Sequence, residues 1–367
     1  MLQQDKKSDA DVAAALKQVE LTEELRRSTM NSFADLMTGP LSTEQIYVLE
    51  ARSATLSPPA SDLPSTPAPD TGTQKSILSR AEQYVGKIYE RLPPLSATKT
   101  TLRFQDNFDA LNGSSGIAGG AQDVVTNASF SESAAFIHYI GSTARDVSLE
   151  RGAEKKPAQK DSTPWGANKM IAIQEPEPGL GRVFMEAQAS GSLQWLRWET
   201  IYGKAAAVYS FAVPKQKSRL EVNVCCFPNI NQTGTARFYT ATTAATLGDS
   251  GGGGGGGVTG NFQTHTEWHN FKTTAPYHGR LFIDPESGVV LRMITEAELK
   301  PSDMVHELGT RVDFGPVKAG QTTMIAPIRS VVNSVVVPNG EAQAGGYKTR
   351  CTLFTSDYAD YRTAPVK

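Results

Sequence analysis

The sequence lacks long apolar runs and has almost no excess of either charge. No stretch of about 18 apolar residues occurs in the chain, which argues against a transmembrane helix. The N-terminal region is polar and charged, and it lacks the apolar core of a signal peptide. Lysine and arginine number 36 against 38 aspartates and glutamates, a net charge of −2 over 367 residues. We therefore expect no transmembrane segment and no nucleic acid as a partner.

Cysteine is also scarce. Only Cys225, Cys226 and Cys351 occur, and their spacing does not fit a zinc site, which needs four ligands in closely spaced pairs. In a strand, the adjacent Cys225 and Cys226 would point to opposite faces. Two interpretations stay open. The cysteines are small strand residues, or one of the adjacent pair is bridged to Cys351, which requires an oxidising compartment.

The N-terminal part of the chain favours helices. Apolar residues recur at roughly helical spacing from Val12 to Leu25, and a second helix is predicted with Ser42 as its N-cap. Prolines crowd the stretch that follows, which predicts an extended linker. The predicted organisation is a helical appendage over 1–56, a proline-rich linker over 57–74 and a main domain over 75–367.

The main domain begins with a helix and continues as strands. A helix is predicted over 75–91, where apolar residues fall three and four apart, and a first strand over 95–104, where residues alternate. From Leu193 onward strands joined by short turns dominate. Polar or glycine-rich insertions are predicted at 151–166 and 240–260. The expected fold class is α+β, with a large curved antiparallel sheet.

One hairpin has an especially clear turn. Apolar runs flank Asp284-Pro285-Glu286-Ser287-Gly288, where Pro285 presets a turn and Gly288 can take a positive φ. The acidic residues of this segment are therefore assigned to turn chemistry.

Catalytic motifs are rare, and their context does not support them. Gly248-Asp249-Ser250-Gly251-Gly252 resembles the nucleophile string of chymotrypsin-like serine proteases, but it opens a glycine run. The one histidine that precedes it, His138, lacks that family's surrounding signature. No phosphate-binding loop or dinucleotide-binding fingerprint occurs. We therefore expect neither an enzyme nor a cofactor.

One pattern is compatible with a metal. His265, Glu267 and His269 form His-x-Glu-x-His, and on a strand the three side chains would share one face. Two imidazoles and a carboxylate can hold zinc or iron(II). The alternative is a solvated polar face of an antiparallel sheet.

Aromatic residues concentrate in one predicted hairpin. They are Trp195, Trp198, Tyr202, Tyr209 and Phe211. Strand alternation would place Trp195 and Trp198 on opposite faces. Core packing is one interpretation. The other is an apolar cavity for an acyl chain, because such a ligand needs apolar walls. The five residues are therefore the candidate ligand-binding site.

Five segments carry a resemblance to a known family: ILSRAEQYVGKIYERLPPLSATKTTLRF, LQWLRWETIYGKAAAVYSF, YHGRLFIDPESGVVLRM, VDFGPVKAG and FTSDYADYR. Through them, residues 75 to about 362 resemble exported proteins of acidobacteria-like genomes, which are similar to the outer-membrane lipoprotein carrier (LolA-like) superfamily. The resemblance implies an open half-barrel with helices on its concave side. It also implies a hydrophobic cavity that carries lipids or lipidated proteins across the periplasm without a cofactor. The motifs are hairpin signatures and transfer no functional residue.

These observations predict a non-enzymatic, periplasmic carrier-like protein that binds a lipid or a lipoprotein acyl chain. The expected partner is a lipid or lipidated protein, and the N-terminal helices offer a contact for another envelope protein. The alternatives are a structural or interaction protein of the envelope with a filled β scaffold, and a metal-dependent enzyme using the His-x-Glu-x-His strand. The expected location is the periplasm or envelope, or the cytoplasm if Met1 is the true start.

Overall fold

The structure is a computed structural model of the chain. It describes residues 7–33, 36–105, 137–150, 153–155, 172–173, 179–228, 238–240, 264–266, 268–303, 305–336 and 350–363. The predicted insertions at 151–166 and 240–260 lie almost wholly outside these residues, and so does the Gly248–Gly252 string.

The described helices lie mostly in the first quarter of the chain. They are α1 (Asp9–Lys17), α2 (Arg27–Ser32), α3 (Pro40–Arg52), α4 (Thr71–Gln83) and α5 (Leu180–Ser190). A π-helical turn, Tyr84–Ile88, and a 3-10 turn, Tyr89–Arg91, continue α4. Together they confirm the helix predicted over 75–91, which begins earlier because Asp70 caps it by accepting a hydrogen bond from Thr73 N at 3.0 Å.

Strands make up most of the rest. They are β1 (Leu95–Gln105), β2 (His138–Glu150), β3 (Ala153–Glu154), β4 (Ala172–Ile173), β5 (Gln194–Ile201), β6 (Lys204–Val213), β7 (Glu221–Pro228), β8 (Phe238–Thr240), β9 (Thr264–Thr266), β10 (Trp268–Thr274), β11 (Tyr277–Ile283), β12 (Val290–Ala297), β13 (Val305–Ala319), β14 (Thr322–Val336) and β15 (Arg350–Thr363).

Ten of these strands form one antiparallel sheet. Its order is β3-β2-β1-β15-β14-β13-β12-β11-β6-β5, so the sheet is not closed into a barrel. The α+β prediction with a large antiparallel sheet is confirmed. A second sheet, β10-β7-β4, packs on the large one where Val222 and Phe271 meet Val332 and Phe354.

The two faces of the large sheet are covered by different helices. On the face that we call the inner face, α4 and α5 pack their apolar sides against β6, β11 and β12. Ile77 and Phe184 from the helices meet Tyr209, Leu281 and Met293 from the strands, and all five are almost fully buried. Because strand side chains alternate, the intervening residues form the other face, which we call the outer face.

The N-terminal helices cover the outer face. Val48 and Ala51 of α3 pack against Phe104, Val331 and Leu353. Helices α1 and α3 are joined by a hydrogen bond in which Ser42 Oγ donates to Asp9 Oδ1 at 2.6 Å. The prediction of Ser42 as an N-cap is wrong, because α3 begins at Pro40 and Ser42 is already inside its first turn.

The turn between β11 and β12 has the predicted chemistry. Asp284 Oδ1 accepts from Glu286 N at 2.9 Å, and Gly288 has a φ of 75°. The turn also packs on α4, since Arg80 Nε donates to the Pro285 carbonyl at 3.0 Å. A Cβ on Gly288 would lie 2.4 Å from the Arg80 carbonyl carbon.

Gly288→Ala tests this contact between turn and helix. The positive φ alone costs about 1–2 kcal/mol for a residue with a Cβ, and the overlap with the α4 backbone adds to it. We expect the free energy of unfolding to fall by at least about 2 kcal/mol in denaturant titrations. Gly191→Ala is the control, because Gly191 has a φ of 65° and open space around its Cβ position. Equal losses in the two variants would show that the close approach is unimportant.

Candidate functional site

The predicted aromatic site is divided among three environments. Tyr209 and Phe211 are buried in the core under α4 and α5. Trp195 and Trp198 are half-buried beside that core, and Tyr202 is 61% exposed at the hairpin tip. The structure therefore brings four of the five aromatic residues to the core at one end of the sheet and places the fifth elsewhere.

The two tryptophans lie on the same side of the hairpin. Their ring centroids are 4.9 Å apart in an edge-to-face arrangement. The expectation of opposite faces is wrong because the register between β5 and β6 shifts between Trp195 and Arg197, a bulge that breaks the alternation. Trp198 Nε1 donates to the Pro67 carbonyl at 3.0 Å, so the proline-rich segment is packed against this hairpin.

An apolar slot lies next to this region, between α4 and α5. Its volume is about 280 Å³, and its apolar lining comes from Leu78, Phe184 and Leu193. Lys75, Ser79, Glu82 and Gln188 add polar groups to the same lining.

The candidate metal site falls outside what the structure describes. Glu267 and the side chains of His265 and His269 are not among the described residues. Within the described part of the chain, no group of three His, Cys, Asp or Glu side chains converges as a metal site. The side chains of Cys225 and Cys226 are likewise outside it, so the bridge to Cys351 stays a prediction.

A second cavity, a cleft, is on the outer face. Its volume is about 660 Å³, and it lies between the segment around α2 and the strands β12, β13 and β14. Its cationic lining consists of Arg26, Arg27, Arg292, Arg311 and Arg329. The remaining walls include Glu24, Tyr202, Ile201, Ile328 and Asp357. We call this cavity the arginine cleft.

A buried carboxylate organises the floor of the arginine cleft. Asp313 on β13 is 1% exposed, and Arg292 Nε donates to its Oδ1 at 2.5 Å. Arg311 Nε donates to Asp313 Oδ2 at 3.0 Å. The two guanidinium groups then share a second acceptor, Glu24 Oε1, at 2.6 Å from Arg311 Nη1 and 3.4 Å from Arg292 Nη1. The result is a square of two arginines and two carboxylates.

The pKa shifts follow from this square. Burial by itself would raise the pKa of Asp313, but the charges of Arg292 and Arg311 outweigh it and hold that pKa well below the usual value. Burial would lower the pKa of Arg311, and the Asp313 and Glu24 carboxylates instead raise it. Asp313 and Arg311 are therefore both charged at neutral pH.

A second ion pair lies beside the square. Arg329 Nη1 and Nη2 donate to the two oxygens of Glu50 on α3 at 2.7 and 2.6 Å, a bidentate pair. Arg329 is 8% exposed, and among the described residues its Nε has no acceptor. Arg26 Nη2 is also buried and has no acceptor among the described residues. The other terminal nitrogen of Arg26, Nη1, lies 3.6 Å from Asp62 Oδ2.

Another part of the cleft wall is a turn with positive φ angles. Tyr202 and Gly203 connect β5 and β6 with φ values of 50° and 77°. Positive φ is unusual for a residue such as tyrosine, and such strain recurs at functional sites. Burial of its hydroxyl, and then the charge of Asp313, raises the pKa of Tyr202.

The arginine cleft is balanced in charge but not in hydrogen bonding. Its five arginines are matched by Glu24, Asp357 and the adjacent Asp313, Glu50 and Asp62. The unpaired buried polar atoms of the lining residues, within the described chain, are both N–H donors, Arg26 Nη2 and Arg329 Nε. Since unpaired buried donors are unfavourable, a ligand rich in acceptor oxygens complements this wall.

Sequence reasoning missed the arginine cleft. Its strand residues follow a signal that is visible in the sequence, since Arg292, Arg311, Asp313 and Arg329 interrupt strands that are otherwise largely apolar. Charged residues inside a buried strand must be paired. Their partners Glu24 and Glu50 come from the N-terminal segment, which no local pattern could identify.

Asp313→Asn tests the role of the buried carboxylate. Removing one charge from a buried network leaves two arginines with a single anion, and we expect a loss of about 3–5 kcal/mol at pH 7. Because the folded pKa lies below the unfolded value of 3.8, the stabilisation from Asp313 is complete above that value and is lost as pH falls through the folded pKa. Stability below pH 4 should therefore depend less on pH in the variant.

The measurement is denaturant unfolding between pH 3 and pH 7. Asp360→Asn makes the same chemical change at an exposed position, and we expect an effect within about 0.5 kcal/mol. An Asp313→Asn protein as stable as the wild type at pH 7 would contradict the account of this network.

No protein-family model matches the sequence, and no curated protein and no solved structure shows a significant match to it. The likeness to LolA-like carriers therefore stays a prediction from the sequence motifs. No helix in the described part of the chain is long and apolar enough to cross a membrane.

Proposed function

We propose that this chain is a non-enzymatic binding protein whose arginine cleft takes a small, oxygen-rich anion. The observation that carries the proposal is that two residues lining one cavity, Arg26 and Arg329, each have a buried N–H, Arg26 Nη2 and Arg329 Nε, without an acceptor among the described residues. An oxyanion supplies acceptors in several directions and pairs well with guanidinium groups.

The size of the cleft fits a small molecule. Ligand pockets are typically about 300–1,000 Å³, and this one is about 660 Å³. Ile201, Ile328 and the ring of Tyr202 add apolar surface to the arginine wall. A ligand with an anionic group and a short apolar or aromatic part meets both kinds of lining.

Binding is favoured over catalysis by the state of the acids. General acid–base catalysis needs a group whose pKa lies near the working pH. Asp313 is held far below that range by Arg292 and Arg311, and Glu50 is engaged by Arg329 through both oxygens. These carboxylates are suited to positioning arginines rather than to transferring protons.

Titration with inorganic phosphate tests the proposal. In a chloride buffer of low ionic strength, calorimetry should detect binding to the full-length chain. Arg26→Gln removes one unfilled donor and one charge, and a charge-assisted hydrogen bond contributes about 1.5–3 kcal/mol. We expect the Kd to rise by about 10-fold or more.

Arg52→Gln is the matched control. Arg52 is exposed at the end of α3 and is not part of the cleft lining, so the same change should leave the Kd unaltered. Absence of binding to the wild type at millimolar phosphate, or an equal Kd for Arg26→Gln, would contradict the proposal.

Acyl-chain carriage is the second candidate. The observation that favours it is the slot between α4 and α5, whose walls include Leu78, Phe184 and Leu193. A site there would agree with the predicted periplasmic carrier of lipids or lipidated proteins. Burial of Tyr209 and Phe211 under the same helices favours the filled scaffold instead.

Mass spectrometry of the native protein separates these two alternatives. A carrier should retain acyl species through purification, and extraction into organic solvent should release them in stoichiometric amounts. Leu78→Trp would fill the slot, and we expect that variant to lose the bound species. If the native protein carries no lipid, the carrier hypothesis is wrong, and the inner face is then best described as a filled scaffold.

A further inference from the structure

We infer that Glu24 is the protein's own occupant of the arginine cleft, and that an oxyanion ligand binds by taking its place between Arg292 and Arg311. The inference rests on the proposed function of the cleft and specifies how the ligand is accommodated. Glu24 is then an internal competitor that the ligand displaces. The ligand must carry a group that can bridge two guanidinium groups.

The position of Glu24 is that of a ligand rather than of a framework residue. One oxygen, Oε1, accepts from both Arg311 and Arg292. A carboxylate or a phosphate would make the same two contacts. Glu24 lies in the irregular stretch between α1 and α2, whereas both arginines are fixed on strands of the large sheet.

Asp313 cannot be the group that leaves. It is on β13, in the centre of the ten-stranded sheet, and it binds both arginines. Moving it would require a change in the strand itself. Glu24, by contrast, is held by backbone contacts that can be exchanged for water. Its N–H donates to the Ser57 carbonyl at 2.7 Å, and Leu25 N donates to Ser53 Oγ at 2.9 Å.

Exchange also solves the charge problem of the arginine cleft. The five arginines are already matched by five carboxylates, so adding a buried anion would leave a negative charge without a partner. An unpaired buried charge is strongly unfavourable. Replacing the Glu24 carboxylate with an external oxyanion keeps the balance, because one anion leaves as the other enters.

The segment that carries Glu24 has few contacts with the sheet. Apart from Glu24 and Arg26, which line the arginine cleft, the irregular stretch packs through Leu21 and Leu25 on the small N-terminal cluster, which contains no strand residue. Helix α3 keeps its own contacts with Phe104, Val331 and Leu353, so the displacement concerns the stretch between α1 and α2 rather than the whole N-terminal part.

Variants of Glu24 test the inference in the full-length chain. Glu24→Gln keeps the shape and an acceptor oxygen but removes the competing charge, and Glu24→Ala removes both. By calorimetry we expect inorganic phosphate to bind Glu24→Gln about 10-fold more tightly than the wild type, and Glu24→Ala at least as tightly as Glu24→Gln. Glu23→Gln makes the same charge change at the neighbouring exposed position and should leave the Kd within about twofold.

Hydrogen exchange gives a second reading that does not depend on a variant. If phosphate displaces Glu24, the amides of Glu24 and Leu25 lose their acceptors and should exchange faster in wild-type protein saturated with phosphate. If phosphate instead binds alongside Glu24, the same amides should become more protected.

The outcomes separate the inference from the function on which it rests. Phosphate binding that is weakened by Arg26→Gln but is unchanged or weaker in Glu24→Gln, with amides more protected, would overturn the inference and leave the arginine cleft as a binding site. Lack of phosphate binding by the wild type and by both Glu24 variants would overturn both. Tighter binding in Glu24→Gln with faster exchange in the wild type would support both.

Discussion

A carboxylate buried in the middle of a β-sheet is the constraint on which the outer face depends. Asp313 is almost fully enclosed, and it is tolerable there only because Arg292 and Arg311 neutralise it. Two arginines around one carboxylate leave a positive charge that must be matched in turn. Glu24 supplies the match from a distant part of the chain, and this ties the N-terminal segment to the sheet.

The N-terminal helices are therefore part of the fold that surrounds the sheet. Two kinds of contact hold them. Apolar residues of α3 pack on Phe104, Val331 and Leu353, while Glu50 and Glu24 engage arginines of the strands. Apolar packing is insensitive to which anion sits nearby, whereas an ion pair can be exchanged for another. On the outer face, the apolar packing of α3 is therefore a fixed contact, and the ion pair of Glu24 with Arg311 is an exchangeable one.

The inner face has the opposite character. Helices α4 and α5 fill it with apolar side chains, and the aromatic residues Tyr209 and Phe211 are part of that filling. A slot between these helices is open to the surface. The arginine cleft, with its two N–H donors that lack acceptors among the described residues, is on the outer face. The two faces therefore differ in character, with apolar side chains filling the inner face and paired arginines and carboxylates on the outer face.

Local patterns predicted the elements better than the way in which they meet. The helix from Thr71, strand β1 and the turn at Asp284–Gly288 follow from spacing and turn chemistry, and the structure has them close to their predicted places. Helix α5 was missed although its apolar residues recur at helical spacing, namely Leu180, Val183, Phe184 and Ala187. The helix is short and lies between two polar stretches of the sequence.

The bulge at Trp195 and the square around Asp313 were missed for a different reason. A β-bulge adds one residue to a strand, and the two-residue alternation of the sequence does not reveal it. The alternation therefore placed the two tryptophans on opposite faces, which is wrong. The contact of Glu24 with Arg311 joins residues 287 apart in the sequence, and no local rule selects one glutamate over another.

A crystal structure of the full-length chain soaked in phosphate would show whether an oxyanion replaces Glu24. We expect phosphate in the arginine cleft, with its oxygens within hydrogen-bond distance of Arg311 and of the donors Arg26 Nη2 or Arg329 Nε, and with Glu24 withdrawn. A cleft that holds only water at saturating phosphate, with Glu24 still on both arginines, would contradict it.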